Sequence, residues 1–302
     1  MRLTQIRDFL AVVEAGTIRG AARKLGVSQP TITKSIRGLE AELHVQLLGR
    51  SVRGIVPTPS GRAFFARARV AHSELRKAEE EASQLGDRGG GSVAFGIGPV
   101  GVVRILPEAV RRFHQQFPRV RVRVVENLSH VLLPLVRDET LDFVVGLGRR
   151  DIKLDPVLRF RPMYRSEIVI AARKGHALRN AHSLAQLADA DWLGTPLLAR
   201  PGGLDRTFAS ADLLPPQPVI YCESYNTIVA LLAKTDMLGF MQRIQLQEPY
   251  ARDFLQEIAV AEPMPSVTAG MYTRADTPLT RAAAAMAKAV VAASRNLARS
   301  AN

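Results

Sequence analysis

Between Leu3 and Leu43 the chain carries three runs of apolar residues at helical spacing, separated only by short glycine-containing turns, and this confines the segment to a compact helical unit. Leu3, Ile6, Phe9, Leu10 and Val13 form the stripe of a first helix ending near Gly16. Ala21, Ala22 and Leu25 make the buried side of a short second helix, Gly26 and Val27 make a tight turn, and Ser28 stands as an N-cap before Gln29 and Pro30. In the third helix Ile32, Ile36, Leu39 and Leu43 face inward. That leaves Gln29, Thr31, Thr33, Lys34 and Arg37 for solvent or a ligand.

Two helices across a short turn, the second with a polar outer face, match the geometry that lays a recognition helix in the major groove of DNA. Gln can pair with adenine through two hydrogen bonds, Lys and Arg can read guanine or hold phosphate, and a Thr methyl can touch the thymine methyl. A polar face alone is expected of any surface helix. Two further features favour DNA. Residues 50–58 read as a hairpin with β-branched residues around an Arg-Gly turn, a wing that brings Arg50 and Arg53 forward. The chain also has a formal net charge of +13, which attracts a polyanion, either nucleic acid or an anionic membrane surface. The predicted DNA-contacting set is Ser28, Gln29, Pro30, Thr31, Thr33, Lys34, Arg37, Arg50 and Arg53.

No stretch approaches the roughly 20 apolar residues of a membrane-spanning helix, and Met1 leads into an amphipathic helix instead of a secretion signal, so no membrane partner and a cytoplasmic location are expected. Cys222 is the only cysteine, which excludes intrachain disulfides and cysteine-cluster zinc sites and leaves it a small core residue.

From Ser60 a breaker-free segment predicts one long helix over 60–86. Phe64, Ala68, Ala71, Leu75, Ala78, Ala82 and Leu85 alternate four and three apart, the seam of a dimerising pair of helices. Alanines bury little area, so this contact is expected to assist dimerisation and not to sustain it alone. The glycine run in 87–91 then predicts a hinge.

Beyond Ser92 strands alternate with helices, which predicts a parallel sheet. The run Gly96-Ile97-Gly98-Pro99-Val100-Gly101 matches a dinucleotide fingerprint, with Glu126 where a ribose-binding acid would stand, so an oxidoreductase is the rival reading. Pro99 stiffens the loop that must wrap a pyrophosphate, and Pro107 would break a helix already begun at Pro99. No hydride-transfer set accompanies the motif. The histidines at 44, 72, 114, 130, 176 and 182 lack metal-ligand spacing, and no Gly-x-Ser-x-Gly elbow is present. No cofactor, metal or enzymatic activity is expected. A nucleoid-type architectural protein also fits the charge, yet needs no α/β domain.

The ordered pattern Phe9, Val13, Gly16, Ala21-Ala22, Leu25, Ser28-Gln29-Pro30, Ile36, Leu39-Glu40, Leu43, Leu47, Arg50 and Thr58-Pro59-Ser60-Gly61 resembles the LysR-type transcriptional regulators of bacteria. The resemblance continues through Leu106-Pro107, Phe113, Pro118, Glu126, Leu141-Asp142 and Gly239-Phe240. Thr17 and Thr33 stand where the family usually has Ser, Leu48 where it has Phe, and His44 where it has Gly, which puts one turn geometry in doubt.

The resemblance implies an α/β fold class with an N-terminal winged helix-turn-helix over 1–59, a long dimerisation helix, and a two-lobed periplasmic-binding-protein-like effector domain over 92–302. Its first lobe would take 92–161 and 266–302, and its second 162–265. It implies promoter DNA, a homo-oligomer that is often a dimer of dimers, a small effector between the lobes, and openness to contact with the transcription machinery. A cleft at the carboxyl ends of strands gathers helix N-termini, for which an organic anion, by preference an aromatic carboxylate or sulfonate, is the natural guest. The positions expected at it are Pro99, Val100, Ser129, His130, Thr195, Arg200, Pro201, Ser224, Tyr225 and Asn226, with Arg200 able to pair a carboxylate. Trp192 and Phe254 are expected in the second lobe's core, and a helix over Leu279–Ala298 is expected to return to the first lobe.

Overall fold

Gly16 and Gly26 end the first two helices for one reason: each takes the left-handed backbone that a side chain disfavours, at φ 65° and 67°. The computed structural model describes residues 1–51, 54–85, 90–148, 155–198 and 204–299. By internal contacts the chain divides into one unit of 1–92 with 137–141 and another of 93–136 with 142–302.

In the first unit α1 (Leu3–Ala15), α2 (Ile18–Leu25) and α3 (Gln29–Leu43) enclose Phe9, Val12, Ala21, Ile32 and Leu39. Phe9 is fully buried, with its ring edge-on to Phe64 at 5.3 Å. Removing such a ring from water stabilises the unit by about 1.5–3 kcal/mol. His44 caps α3 and itself adopts the left-handed conformation, φ 52° and ψ 32°. The turn is therefore kept without glycine, at the cost of strain. Strands β1 (Leu48–Ser51) and β2 (Gly54–Pro57) pair antiparallel. The Ile55 N–H donates to the Gly16 carbonyl at 2.8 Å, which seats this hairpin on the end of α1.

Helix α4 (Pro59–Leu85) corrects part of the predicted seam. Ala68 is buried in the core of its own unit, and half-buried Phe64 packs against that core beside Phe9. Ala71, Leu75, Ala78 and Ala82 are exposed, while the side chain of Leu85 lies outside the described residues, as do 86–89, most of the expected hinge. The same helix holds the segment 137–141: Arg69 pairs with Asp138, Ser73 Oγ donates to the Glu139 carbonyl at 3.1 Å, and Lys77 Nζ lies 3.0 Å from Glu139 Oε2. Burial pushes the Glu139 carboxyl above its ordinary range.

The second unit runs β3 (Ser92–Ile97), α5 (Pro99–Arg104), α6 (Leu106–Gln116), β4 (Arg121–Glu126), α7 (Ser129–Arg137), β5 (Phe143–Leu147) and the long β6 (Leu158–Arg173). It continues with β7 (Trp192–Gly194), α8 (Leu204–Ser210), β8 (Ile220–Tyr221), α9 (Tyr225–Lys234), β9 (Leu238–Gln242), α10 (Arg243–Leu246), α11 (Pro249–Arg252), β10 (Leu255–Ile258), β11 (Ser266–Arg274) and α12 (Arg281–Arg299). Among the described residues the strands form one sheet in the order β4-β3-β5-β11-β6-β9-β7-β8, with β10 also on β6.

The sheet is mixed and not parallel as expected. Strands β3 and β5 pair parallel, as do β7 with β8 and with β9, but β11 is antiparallel to β5 and β6, and β6 to β9 and β10. The exceptions are the two long strands. Strand β6 meets β11 through Leu158–Glu167 and then β9 and β10 through Ile168–Arg173, so it joins the two halves of the sheet.

Each half has its own core. Phe95 stacks on Phe143 at 4.9 Å, beneath α6 and α12, which packs on the first half as expected. Trp192 stacks on Phe240 at 4.7 Å in the second half, with Phe208 edge-on to both rings. Phe254 is instead 50% exposed. It sits in the turn after α11, where its carbonyl accepts the Lys174 N–H at 2.8 Å while its ring stays in contact with solvent. The dinucleotide-like run does not open one continuous helix, because α5 stops after Arg104 and α6 restarts with Pro107 in its first turn.

Candidate functional site

The first unit presents a polar reading face whose geometry is set by local hydrogen bonds. Ser28 caps α3, its Oγ accepting the Thr31 N–H at 3.4 Å and lying 2.8 Å from Thr31 Oγ1. Thr33 turns inward by comparison, its hydroxyl donating to the Gln29 carbonyl at 3.0 Å. Ser28, Gln29, Pro30, Thr31, Lys34 and Arg37 are exposed, and Thr33 is half-buried. Lys34 and Arg37 form no ion pair among the described residues, whereas Lys24 is held by Glu14 at 2.6 Å. Arg53 and the side chain of Arg50 lie outside the described residues. Such a face combines hydrogen-bonding side chains with uncommitted cations, which suits bases and phosphates together.

Within the second unit a cavity of about 1150 Å³ opens along the ends of β3, β5 and β9 and the middle of β6. Pro99, Val100, Ser129, His130, Thr195 and Tyr225 line it, as the sequence leads one to expect. Ser224 and Asn226 are exposed and do not line it; from α9 the lining residues are Tyr225 and Ile228, one turn apart on the same face. Arg200 and Pro201 lie outside the described residues.

Several expected groups are already committed. Ser129 Oγ donates to the Leu147 carbonyl at 3.2 Å, Thr195 Oγ1 to the Phe240 carbonyl at 3.2 Å, and Tyr225 Oη to the Gln245 carbonyl at 3.0 Å. Burial, followed by the charge of Glu248, pushes the Tyr225 phenol up to about 12, so it stays a neutral donor. Pro99 brings no N–H to the cavity.

Sequence reasoning missed Tyr164, Arg165, Arg206, Thr207 and Gln242, all of which line the cavity. They stand on β6, α8 and β9. No motif marks them, and only the sheet order brings them opposite α5 and α7. Arg165 and Arg206 are exposed and outweigh the one lining carboxylate among the described residues, Glu223. The walls between them, including Val145, Leu147, Ile168, Leu197, Met241 and Val267, are apolar. Apolar walls with a few polar groups give the cavity the form of a small-molecule site.

Comparison with known proteins assigns both units. A helix-turn-helix model, described as bacterial regulatory helix-turn-helix protein, lysR family, matches residues 3–62, and the LysR substrate binding domain matches residues 86–295. The chain belongs to the LysR family. This LysR-family chain is 32% identical over 274 residues to the HTH-type transcriptional regulator GalR of Pseudomonas putida, covering 89% of the chain and 68% of the relative. It is 31% identical over 291 residues to the SDS degradation transcriptional activation protein of a Pseudomonas species, covering 94% of each.

Among solved structures it matches full-length OxyR from Pseudomonas aeruginosa with a TM-score of 0.69 at 20% identity, over 96% of the chain and 94% of that structure. It matches CbnR, a LysR family transcriptional regulator, with a TM-score of 0.67 at 20% identity, over 97% and 99%. These likenesses establish the fold, a helix-turn-helix followed by a two-part α/β domain. The LysR-family chain is thus a DNA-binding transcriptional regulator with an effector-binding domain and not an enzyme. No helix among the described residues is long and apolar enough to cross a membrane, and none of their His, Cys, Asp and Glu groups is placed to hold a metal ion.

Proposed function

We propose that this regulator reads promoter sequence with Gln29, Thr31 and Lys34, steadied by phosphate contacts from Ser28, Arg37, Arg50 and Arg53, and that a small organic anion in the cavity of its second unit alters the contact. An aromatic carboxylate or sulfonate is the preferred guest. The observation that carries this reading is the cavity itself, with apolar walls and exposed arginines at 165 and 206. An aromatic ring suits such walls, and an acid group can meet the guanidiniums without leaving water. The SDS-degradation activator is named for an organic anion, which accords with the reading. A purely architectural DNA-binding protein has no use for such a cavity.

The acting form is a homo-oligomer, at least a dimer and by analogy a dimer of dimers, working in the cytoplasm. The exposed positions Ala71, Leu75, Ala78 and Ala82 of α4 supply one pairing stripe. Two recognition helices then meet two half-sites. Effector binding shifts the equilibrium between arrangements of the DNA-binding units, since a ligand favours whichever state it binds more tightly.

A thermal-shift screen of aromatic and aliphatic carboxylates, sulfonates and sulfates tests the effector reading. A ligand that binds the folded state alone raises its melting temperature in proportion to the logarithm of its concentration. An aromatic acid is expected among the hits. A screen without any hit contradicts the organic-anion reading.

A further inference from the structure

Arg104, the last residue of α5, forms an ion pair with Glu248, the N-cap residue of α11. The two come from different halves of the sheet. Helix α5 is fixed to the first half through Val100 and, just beyond its end, Ile105, both in that core. On either side of Glu248, Leu246 and Ala251 are buried with Leu193 and Met241 of the second half. Neither partner of the pair lines the cavity, yet each is joined to a wall of it. Helix α5 opens with Pro99, Val100 and Gly101, which line one side, and Gln245, three residues before Glu248, lines another.

A short chain of hydrogen bonds carries the position of Glu248 to that second wall. The Glu248 N–H donates to the Gln245 carbonyl at 3.3 Å, and the same carbonyl accepts the Tyr225 hydroxyl at 3.0 Å. Tyr225 and Gln245 both line the cavity. The Glu248 carbonyl accepts the Ala251 and Arg252 N–H groups at 2.9 and 2.7 Å, so the residue is built into the turn between α10 and α11.

The two partners are unequally buried. The Glu248 side chain is 9% exposed and the Arg104 side chain 35%. A carboxylate so far from water is costly unless a cation stays beside it. Glu248 therefore holds Arg104 close, and the end of α5 comes with it. The sheet itself leaves the spacing of the walls adjustable. Strands β6 and β11 run through both cores, with Tyr164 and Met271 in the first and Ile168 and Val267 in the second. Two halves joined through such strands can bend about them as a hinge, and a side-chain tie between helices on either side limits that motion.

We infer that Arg104 and Glu248 are positioning residues for effector recognition: their ion pair sets the spacing between the α5 wall and the wall of Tyr225 and Gln245 before any ligand arrives, and effector affinity depends on that spacing. The affinity rests on the organic-anion reading above, whereas the spacing is a property of the ligand-free chain.

Spin-label distances in the full chain test the spacing. Lys288→Cys on α12 and Asp189→Cys in the second half, both at exposed positions, carry the labels in a Cys222→Ser background, and labelled chain is diluted into unlabelled chain so that distances within one chain are read. The parent and Arg104→Lys, which keeps the cation, are expected to give one narrow distribution. Arg104→Gln and Glu248→Gln are expected to add a second, displaced population. Calorimetry with benzoate and benzenesulfonate reads the affinity. A chain that holds the proper spacing about one-fifth of the time binds about fivefold more weakly. A loss of at least that size is expected in both Gln variants, with little change in Arg104→Lys. The double Gln variant should lose no more than the single ones, because all three remove the same interaction.

Melting curves establish that each variant is folded, and if Glu248→Gln is not, Arg104→Gln at the more exposed partner decides. A residue serving the fold alone would change the melting temperature without this dependence on charge. Distributions unchanged in the Gln variants overturn the inference, and so does a changed spacing with affinity intact. Failure of benzoate, benzenesulfonate and every acid of the thermal-shift screen to bind contradicts the organic-anion reading, and the distances alone then decide whether the pair sets the spacing.

Discussion

The carboxylate of Glu40 accepts the backbone N–H of Leu47 at 2.8 Å and that of Leu48 at 3.1 Å, so one side chain of the recognition helix fixes the start of the wing. Charged acceptors contribute about 1.5–3 kcal/mol per partly buried hydrogen bond. Glu40→Ala is expected to destabilise the first unit by about that amount, and Glu40→Gln by less, since an amide oxygen still accepts. Trp192, the only tryptophan, lies in the second unit. Urea unfolding followed by circular dichroism should therefore shift while the Trp192 fluorescence transition does not.

His44 holds a left-handed backbone at the end of α3. His44→Gly removes that strain but gives the unfolded chain more freedom, and the difference favours the variant by about 0.5–1 kcal/mol. A rise in the midpoint of the dichroism transition checks this; a fall would mean that the imidazole makes a contact worth more than the strain.

Gln29 and Arg37 are both exposed on the reading face, yet their chemistry differs. Gln29→Ala should weaken binding to the operator by about 1–3 kcal/mol and leave binding to random duplex nearly unchanged. Arg37→Ala should weaken both and reduce the dependence of binding on salt by about one counterion. Titrations of both duplexes across a salt series separate the two roles.

On α6, hydrogen bonds from Arg111 and Arg112 hold the Glu108 carboxyl well below its usual range, at about 2. Its folded value is depressed, so whatever stability it contributes is complete above the ordinary carboxylate value and is lost as pH falls through about 2. Both partners are exposed, and salt screens them. An NMR titration should show a low Glu108 midpoint that climbs toward the usual value in high salt or in Arg111→Ala.

The helix-turn-helix was legible because its signals are local. The glycines at 16 and 26, the cap at Ser28 and the apolar spacing of Ile32, Ile36 and Leu39 each act within a few residues. Part of the family pattern also gains a cause: a Cβ on Gly61 would strike the Leu47 carbonyl, and Glu40 supplies the wing anchor. Phe64 and Ala68 fit a heptad seam equally well whether the partner is another chain or the same one, and spacing could not choose. The cavity was legible after β3 and β4, where Pro99, Val100, Ser129 and His130 follow the strands in a regular order. It was not legible at Tyr164, Arg206 or Gln242, which stand on β6, α8 and β9, elements far apart in sequence that line one cavity only in the folded chain. Phe254 shows the same limit in reverse, an aromatic residue left at the surface by a turn.

The joint claim that this regulator reads a defined DNA site and changes its grip when an organic acid fills the cavity is tested most directly by footprinting. The full chain is bound to the duplex selected by it from a random pool, with and without the acid that most raises its melting temperature. The account predicts a bounded footprint with two half-sites, whose edges or enhanced cleavage positions move when the acid is present, and whose response is lost in Arg206→Ala. Protection without sequence boundaries, or a footprint identical with and without a bound acid, would contradict it.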